Sequence, residues 1–417
     1  MPPEPKLTSQ SPPILFFGET FMTRYHDDHR MKLNRQALLG AKLDALVCAL
    51  PSNVMLLSGY RPVVGTGIVI ATPTSITLVV PSDEEELANA GCAGDVRTFN
   101  DGSLTKLESL TDAVRPVLGD ALRSLNLHHG SIGYEHGPWI QPPPYVAVNS
   151  YGAAMPLLLS DLMPDAKLMS ADHLLKGLRL VKTPHEIGHL RTACRIAGAA
   201  FTDGIGHVRR GRTETQVAAI FQGGLLQSHD DDRAAGSCFC MAGPNAALAY
   251  KAYQRSSQRE LRTGDLALVH CNSTAGGFWT DITRTYCVGS PTLHQRQLYE
   301  AVFAARHAAL NSIRPGIPGS VVDHAARSVL KDHGFGPNFK HPTGHGVGFD
   351  AIDHNASPRL HPLSNDALEI GMVFNVEPAI YIEGECGLRH CDMVAVTGDG
   401  HELLTPFQDR PDQLVIQ

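Results

Sequence analysis

The second half of this chain carries short Val/Leu-rich runs that each lead into an ionisable side chain, and few folds tolerate that pattern without a reason. Asp265–His270, Gly371–Glu377 and Asp392–Val396 read as buried strands. His270 ends the first run, and Asp281 opens Asp281–Thr285 eleven residues later. His345 lies between glycines in Gly344–Gly348, Glu377 precedes Pro378, and Cys391 follows Arg389 and His390. Polar side chains at the ends of apolar strands are costly to bury unless partnered, so five of them on separate segments are candidates for one site. Imidazole, carboxylate and thiolate are also the side chains that bind divalent transition metals. Singly, each has a structural alternative: Glu377 as an acceptor for nearby amides, Cys391 as an inert buried thiol.

The rest of the chain supplies a frame for that site. At 417 residues two domains are expected. Leu43–Leu50 reads as a buried strand after a short helix at Arg35–Leu39, and Gly67–Ala71 with Ile76–Val80 reads as a hairpin. Strands and helices alternate to about Tyr134, so the first half is α/β. The Pro/Gly-rich stretch Gly137–Pro156 loosens the pattern, and helical periodicity resumes at Ser170–Leu180. A long helix is expected from Pro184 to about Val208, with Thr213 capping the next and further helices at Leu293–Ile313 and Ser320–Asp332.

Bulk properties exclude several classes. A formal net charge of −7 leaves no basic footprint for nucleic acid, and no apolar run is long enough to span a bilayer. Met1–Pro13 lacks an apolar secretory core and reads as part of a disordered tail, 1–15. Nine scattered cysteines with no CxxC pair point to reduced thiols in a cytoplasmic protein.

In order and spacing, Asp281–Thr285, His341–Gly348, Gly371–Pro378 and Gly387–Arg389 resemble the pita-bread family of creatinase, aminopeptidase P and prolidase. Upstream, Leu43–Val47, Pro51–Tyr60 and Leu178–Ile187 resemble that family's N-terminal domain and junction. The resemblance implies an α/β creatinase-type domain over 16–168 and an α+β pita-bread catalytic domain over 169–417. It implies a hydrolase acting on a small molecule or dipeptide, and a homodimer.

Metal-bearing members of the family use five ligands: Asp, a second Asp eleven residues on, His, Glu and Glu. Here they correspond to His270, Asp281, His345, Glu377 and Cys391, so two of the five are altered. The resemblance also points to His341 and to Arg389. Tyr250 stands where a substrate-side histidine is expected, and His354, before Asn355, aligns with the second active-site histidine. Exchanging two carboxylates for an imidazole and a thiol disfavours a manganese or cobalt pair, leaving either no metal or one softer ion such as zinc or iron. The first expectation is therefore a creatinase-like, metal-free or single-metal hydrolase of a C–N bond in a small polar metabolite, with His345 relaying protons. Glu377 would bind the substrate's cationic part and Arg389 a carboxylate. The alternatives are an Xaa-Pro aminopeptidase or dipeptidase with a modified metal site, and an inactive binding protein on the same fold.

Overall fold

The structure is a computed structural model and describes residues 27–63, 67–100, 106–136, 154–227, 234–251, 256–350 and 358–416. The tail 1–15, residues 137–153 and the pair His354–Asn355 lie outside the described residues.

The first half builds a six-stranded mixed sheet. Its spatial order is Asp95–Phe99, Ile76–Pro81, Ile68–Ala71, Ala45–Cys48, Ser131–Tyr134, Lys167–Ser170. The expected hairpin pairs Ile68–Ala71 antiparallel to Ile76–Pro81, and the outer pairs are parallel. Ala45–Cys48 is buried on both faces, which explains a continuous apolar run rather than an alternating one. Lys167–Ser170 is an edge strand of this sheet, so a division at 168/169 would cut it in two. The helix Asp172–Leu180 packs against the helices Asp28–Ala41 and Pro51–Ser58 of the same half, and the division falls beyond it.

One buried fork ties that junction together. Arg30 donates through Nε and Nη2 to the two carboxylate oxygens of Glu186, at 2.7 Å each, and through Nη1 to the carbonyl of Leu178. Glu186 is also the N3 residue of the capping box that Thr183 opens on the helix Pro184–Gly204. A charge-assisted bidentate pair excluded from water fixes geometry as well as energy, so the first helix of one half is registered on the first helix of the other.

Lys182 sits at the same junction, buried, its ammonium beside Gly348 and donating to the Leu180 carbonyl at 3.3 Å. Burial, only partly countered by Glu186, depresses its pKa to about 7 from an ordinary 10.5. Between those values the unfolded chain holds a proton that the folded chain has released, so stability rises with pH across that window. Replacing Lys182 by Met removes this dependence. Urea unfolding at pH 6, 7.5 and 9 should show the Met variant's relative advantage shrinking with pH, by at most about 1.4 kcal/mol per unit. A gap that stays flat would contradict the assignment.

The second half wraps three sheets around the candidate residues. The largest places Val415–Ile416, Phe278–Val288, Leu266–Ala275 and Ala235–Ala242 side by side. A three-stranded sheet joins Val373–Val376, Asp392–Val396 and His401–Leu403, and Ala379–Ile382 pairs with Cys386–Arg389. The helices Leu293–Ser312 and Gly319–Asp332 pack on each other and close the outside. Thr213 caps the helix Glu214–Leu226 through a capping box with Gln216, as its sequence predicts.

Two expectations need correction here. His270 and Asp281 do not stand at strand ends; both lie inside a long antiparallel pair in which His270 faces Thr283 and Asn272 faces Asp281. Apolar runs understate the length of this pair because its buried polar residues break the pattern while continuing the ladder. The cysteines are not all reduced either. Cys238 and Cys271 oppose each other on adjacent strands, Cα atoms 4.2 Å apart, and form a disulfide.

Behind the site lies a buried ion cluster. Asp392 accepts from Arg284 Nη2 at 2.8 Å, from Arg306 Nε at 2.5 Å and from the Thr405 hydroxyl at 2.8 Å. Arg284 also donates to the carbonyls of Thr283 and Cys391, so the cluster clamps the strand beside the site residues.

Candidate active site

The two-residue period of a strand sets which side chains share a face. His270 and Asn272 point the same way, and Asp281 and Thr283 meet them from the adjoining strand. Three other segments converge on that face. The Gly344–Gly348 loop brings His345, the strand Val373–Val376 ends at Glu377, and the isolated pairing of Thr283 with Cys391 brings in the last segment. Gly344 is required by contact: a Cβ there would lie 1.9 Å from the Asn375 carbonyl oxygen.

Asp281, Glu377 and Cys391 each offer a ligand atom, all within 4.8 Å of one another. His345 Nε2 lies 3.5 Å from Asp281 Oδ2 and 3.9 Å from Glu377 Oε1. Asp281, His345 and Glu377 line a cavity of about 80 Å³ that is also lined by His270, His341, Arg389, Arg359 and His361, with Cys391 behind its wall. His341 donates through Nδ1 to the Pro342 carbonyl, and its Nε2 accepts from the Tyr381 hydroxyl at 3.0 Å. Tyr250 is not among the residues lining the cavity; its ring packs on that of Tyr381, 5.3 Å between centroids. His354 falls outside the described residues.

Sequence reasoning missed Asn272, Thr283, Asn375, Arg359 and His361. Asn375 is the most consequential of them. Its Oδ1 accepts the His345 backbone N–H at 2.7 Å, which orients the amide and turns Nδ2 toward His345 Nε2 at 3.2 Å and Cys391 Sγ at 3.6 Å. The Cys391 thiol in turn donates to the Asp281 carbonyl at 3.2 Å.

Burial dominates the electrostatics. It pushes the Cys391 thiol well up, assisted by the charges of Asp281 and Glu377. It raises Glu377 to about 7, against the pull of Arg389. Burial lowers His341 to about 3, helped by Arg389, so that ring is neutral. For His345 burial acts downward, but its hydrogen bond to Asp281 and the charges of Asp281 and Glu377 overcome it and push the ring up to about 9. Asp281 is held below the usual range despite its burial by His270, His345 and Arg389 around it. Two demands thus meet at His345 Nε2: the carboxylates favour a proton there, and the Asn375 N–H favours a lone pair. A ring balanced this way can both take and give a proton.

The comparisons with known proteins agree with this architecture. The family model of Metallopeptidase family M24 matches residues 188–398, and that of the Creatinase/Prolidase N-terminal domain matches residues 30–181. An Xaa-Pro dipeptidase of Pyrococcus furiosus is 29% identical over 363 residues, 87% of this chain and 93% of the relative. The solved prolidase of Pyrococcus horikoshii superposes with a TM-score of 0.73 at 26% identity, covering 92% of this chain and 99% of that one. An Xaa-Pro dipeptidase from Bacillus anthracis shares the fold, with a TM-score of 0.76 at 23% identity over 93% of this chain and 99% of that one. The chain therefore belongs to metallopeptidase family M24, with a creatinase/prolidase N-terminal domain followed by the pita-bread domain. It is a hydrolase of C–N bonds.

Proposed function

We propose that this chain hydrolyses the amide bond of a dipeptide-sized substrate with a free carboxylate, in the manner of the Xaa-Pro dipeptidases to which it is similar. One observation carries the reading: a small cavity holds Asp281, His345 and Glu377 for the chemistry together with Arg389, while Arg359, which also lines it, is paired with Asp366. A guanidinium recognises a carboxylate through paired N–H donors, and a dipeptide must end in one. The similarity to dipeptidases moves this reading ahead of the creatinase-like one expected from the altered ligands.

The donor set fits one metal ion. Asp281, Glu377 and Cys391 would hold it, a mixed oxygen and sulfur set that suits zinc or ferrous iron better than manganese. When bound, such an ion supplies a Lewis acid and a water of lowered pKa. Ligation requires the Cys391 proton to leave, so uptake of the ion strengthens as pH rises. With an ion on Asp281 and Glu377, the negative charge that raises His345 would be offset, so the neutral ring could accept the proton released by the attacking water and return it to the departing nitrogen, and the amine leaves neutral. Arg389 holds the substrate's carboxylate, and burial of the site keeps bulk water from competing.

The test compares an Xaa-Pro dipeptide with its C-terminal amide, using protein loaded with zinc or ferrous iron. Blocking the carboxylate should lower kcat/KM by at least about tenfold. Equal rates on acid and amide would remove Arg389 from the account. A second reading, hydrolysis of a guanidino acid, draws on the neutral side chains at two ligand positions, His270 and Cys391. Turnover of guanidino acids without turnover of any dipeptide would replace the first reading with the second.

A further inference from the structure

His270 lines the cavity, yet its hydrogen bonds leave it nothing to offer a metal. Arg389 can only donate, and its Nη2 lies 3.0 Å from His270 Nδ1. That nitrogen must therefore carry a lone pair. The Thr283 hydroxyl, 2.8 Å away, donates to the same nitrogen, and Thr283 Oγ1 accepts from Arg389 Nε at 3.0 Å. The ring proton then sits on Nε2 and points at Asn272 Oδ1, 3.0 Å away. This order of assignment also fixes the Asn272 amide: if it presented its NH2 instead, two donors would face each other at Nε2. Asn272 Nδ2 is left without a partner in the interior, a cost the structure accepts to keep this arrangement.

We infer that His270 is a positioning residue, which ligates no metal and instead, with Thr283, fixes the Arg389 guanidinium in the cavity. Held at Nε and Nη2, Arg389 keeps its remaining nitrogen, Nη1, 3.8 Å from Glu377 Oε2. The planar fork is thereby pre-oriented, and a substrate carboxylate meets it with little further ordering. A carboxylate in place of His270 would instead neutralise Arg389 and add a ligand. The imidazole leaves the arginine its full charge while still accepting its hydrogen bond. A second ion finds no ligand on this strand, and the site holds at most one.

The kinetic part of this inference rests on the dipeptide reading; the metal part does not. Full-length protein stripped of metal is dialysed against zinc, and bound zinc is measured for wild type, His270→Ala and His270→Gln. All three should bind the same number of equivalents, no more than one, with affinities within about 100-fold, since His270 neighbours the ligand Asp281 at 3.7 Å. Zinc binding weakened beyond that in both variants would make His270 a ligand and overturn the inference. On an Xaa-Pro dipeptide, His270→Ala should raise KM about tenfold or more with a smaller change in kcat. His270→Gln, whose amide oxygen can still accept from Arg389, should recover most of the loss. An unchanged KM in His270→Ala would overturn the positioning role. The Gln variant also keeps a polar group in the buried position should the Ala variant fold poorly. Failure of every form to cleave dipeptides would count against the proposed function, while the zinc measurement would still decide whether His270 is a ligand.

Discussion

Replacing His345 by Ala should lower kcat/KM by about 10²- to 10⁴-fold and leave the fold intact. The ring is buried, and its Nε2 faces Asp281 and Glu377 at 3.5 and 3.9 Å. Two of the other described imidazoles lining the cavity are otherwise engaged. His341 is neutral, with its Nε2 occupied by the Tyr381 hydroxyl, and His270 is engaged by Arg389 and Thr283. His361 also lines the cavity, but its Nδ1 accepts the Leu363 backbone N–H and so cannot move a proton from that side. Steady-state kinetics together with circular dichroism checks the claim. A loss under tenfold in a folded variant would assign the proton transfer elsewhere.

Replacing Asp392 by Ala should destabilise the fold by about 3–5 kcal/mol, because it leaves two buried guanidinium groups without their counter-charge. Asp392 and Arg284 are fully excluded from water and Arg306 is nearly so. The carboxyl lies well below the usual range, since Arg284, His390 and Arg306 outweigh its burial. A depressed carboxyl contributes stability above its unfolded pKa and loses it as pH falls, so the cluster also predicts acid sensitivity that the Ala variant lacks. Urea unfolding at neutral pH and at about pH 2.5, below the unfolded carboxyl pKa, reads both effects. A neutral-pH change under 1 kcal/mol would mean that the arginines find other acceptors. Because Arg284 also holds the Cys391 carbonyl, the same substitution loosens the strand behind the site, and activity should fall with stability.

How much of this was legible in the sequence depends on the range of each interaction. The architecture was, because Ile68–Ala71 and Ile76–Pro81 are separated by a short polar turn and pair locally. The separate segments carrying Asp281, His345, Glu377 and Cys391 were also legible, because an ionisable residue beside an apolar run stands out. Asn272 and Thr283 could have been found by stepping two residues along the strand from His270 and from Asp281, since they share that face. Asn375 lies two residues before Glu377 and therefore had the same signal. Arg359 and His361 carried none: they reach the cavity from an irregular segment in which no periodicity predicts direction. The Cys238–Cys271 pairing needed the strand register, which spacing alone does not supply. The role of His270 depends on where Arg389 lies, 119 residues away in the chain, and composition cannot report that.

The most direct test of the central claim is to incubate protein carrying zinc or ferrous iron with an Xaa-Pro dipeptide and quantify both amino acids. The account predicts equimolar release of the N-terminal residue and proline, abolished by His345→Ala. Intact dipeptide after prolonged incubation with zinc, iron and manganese in turn would contradict it.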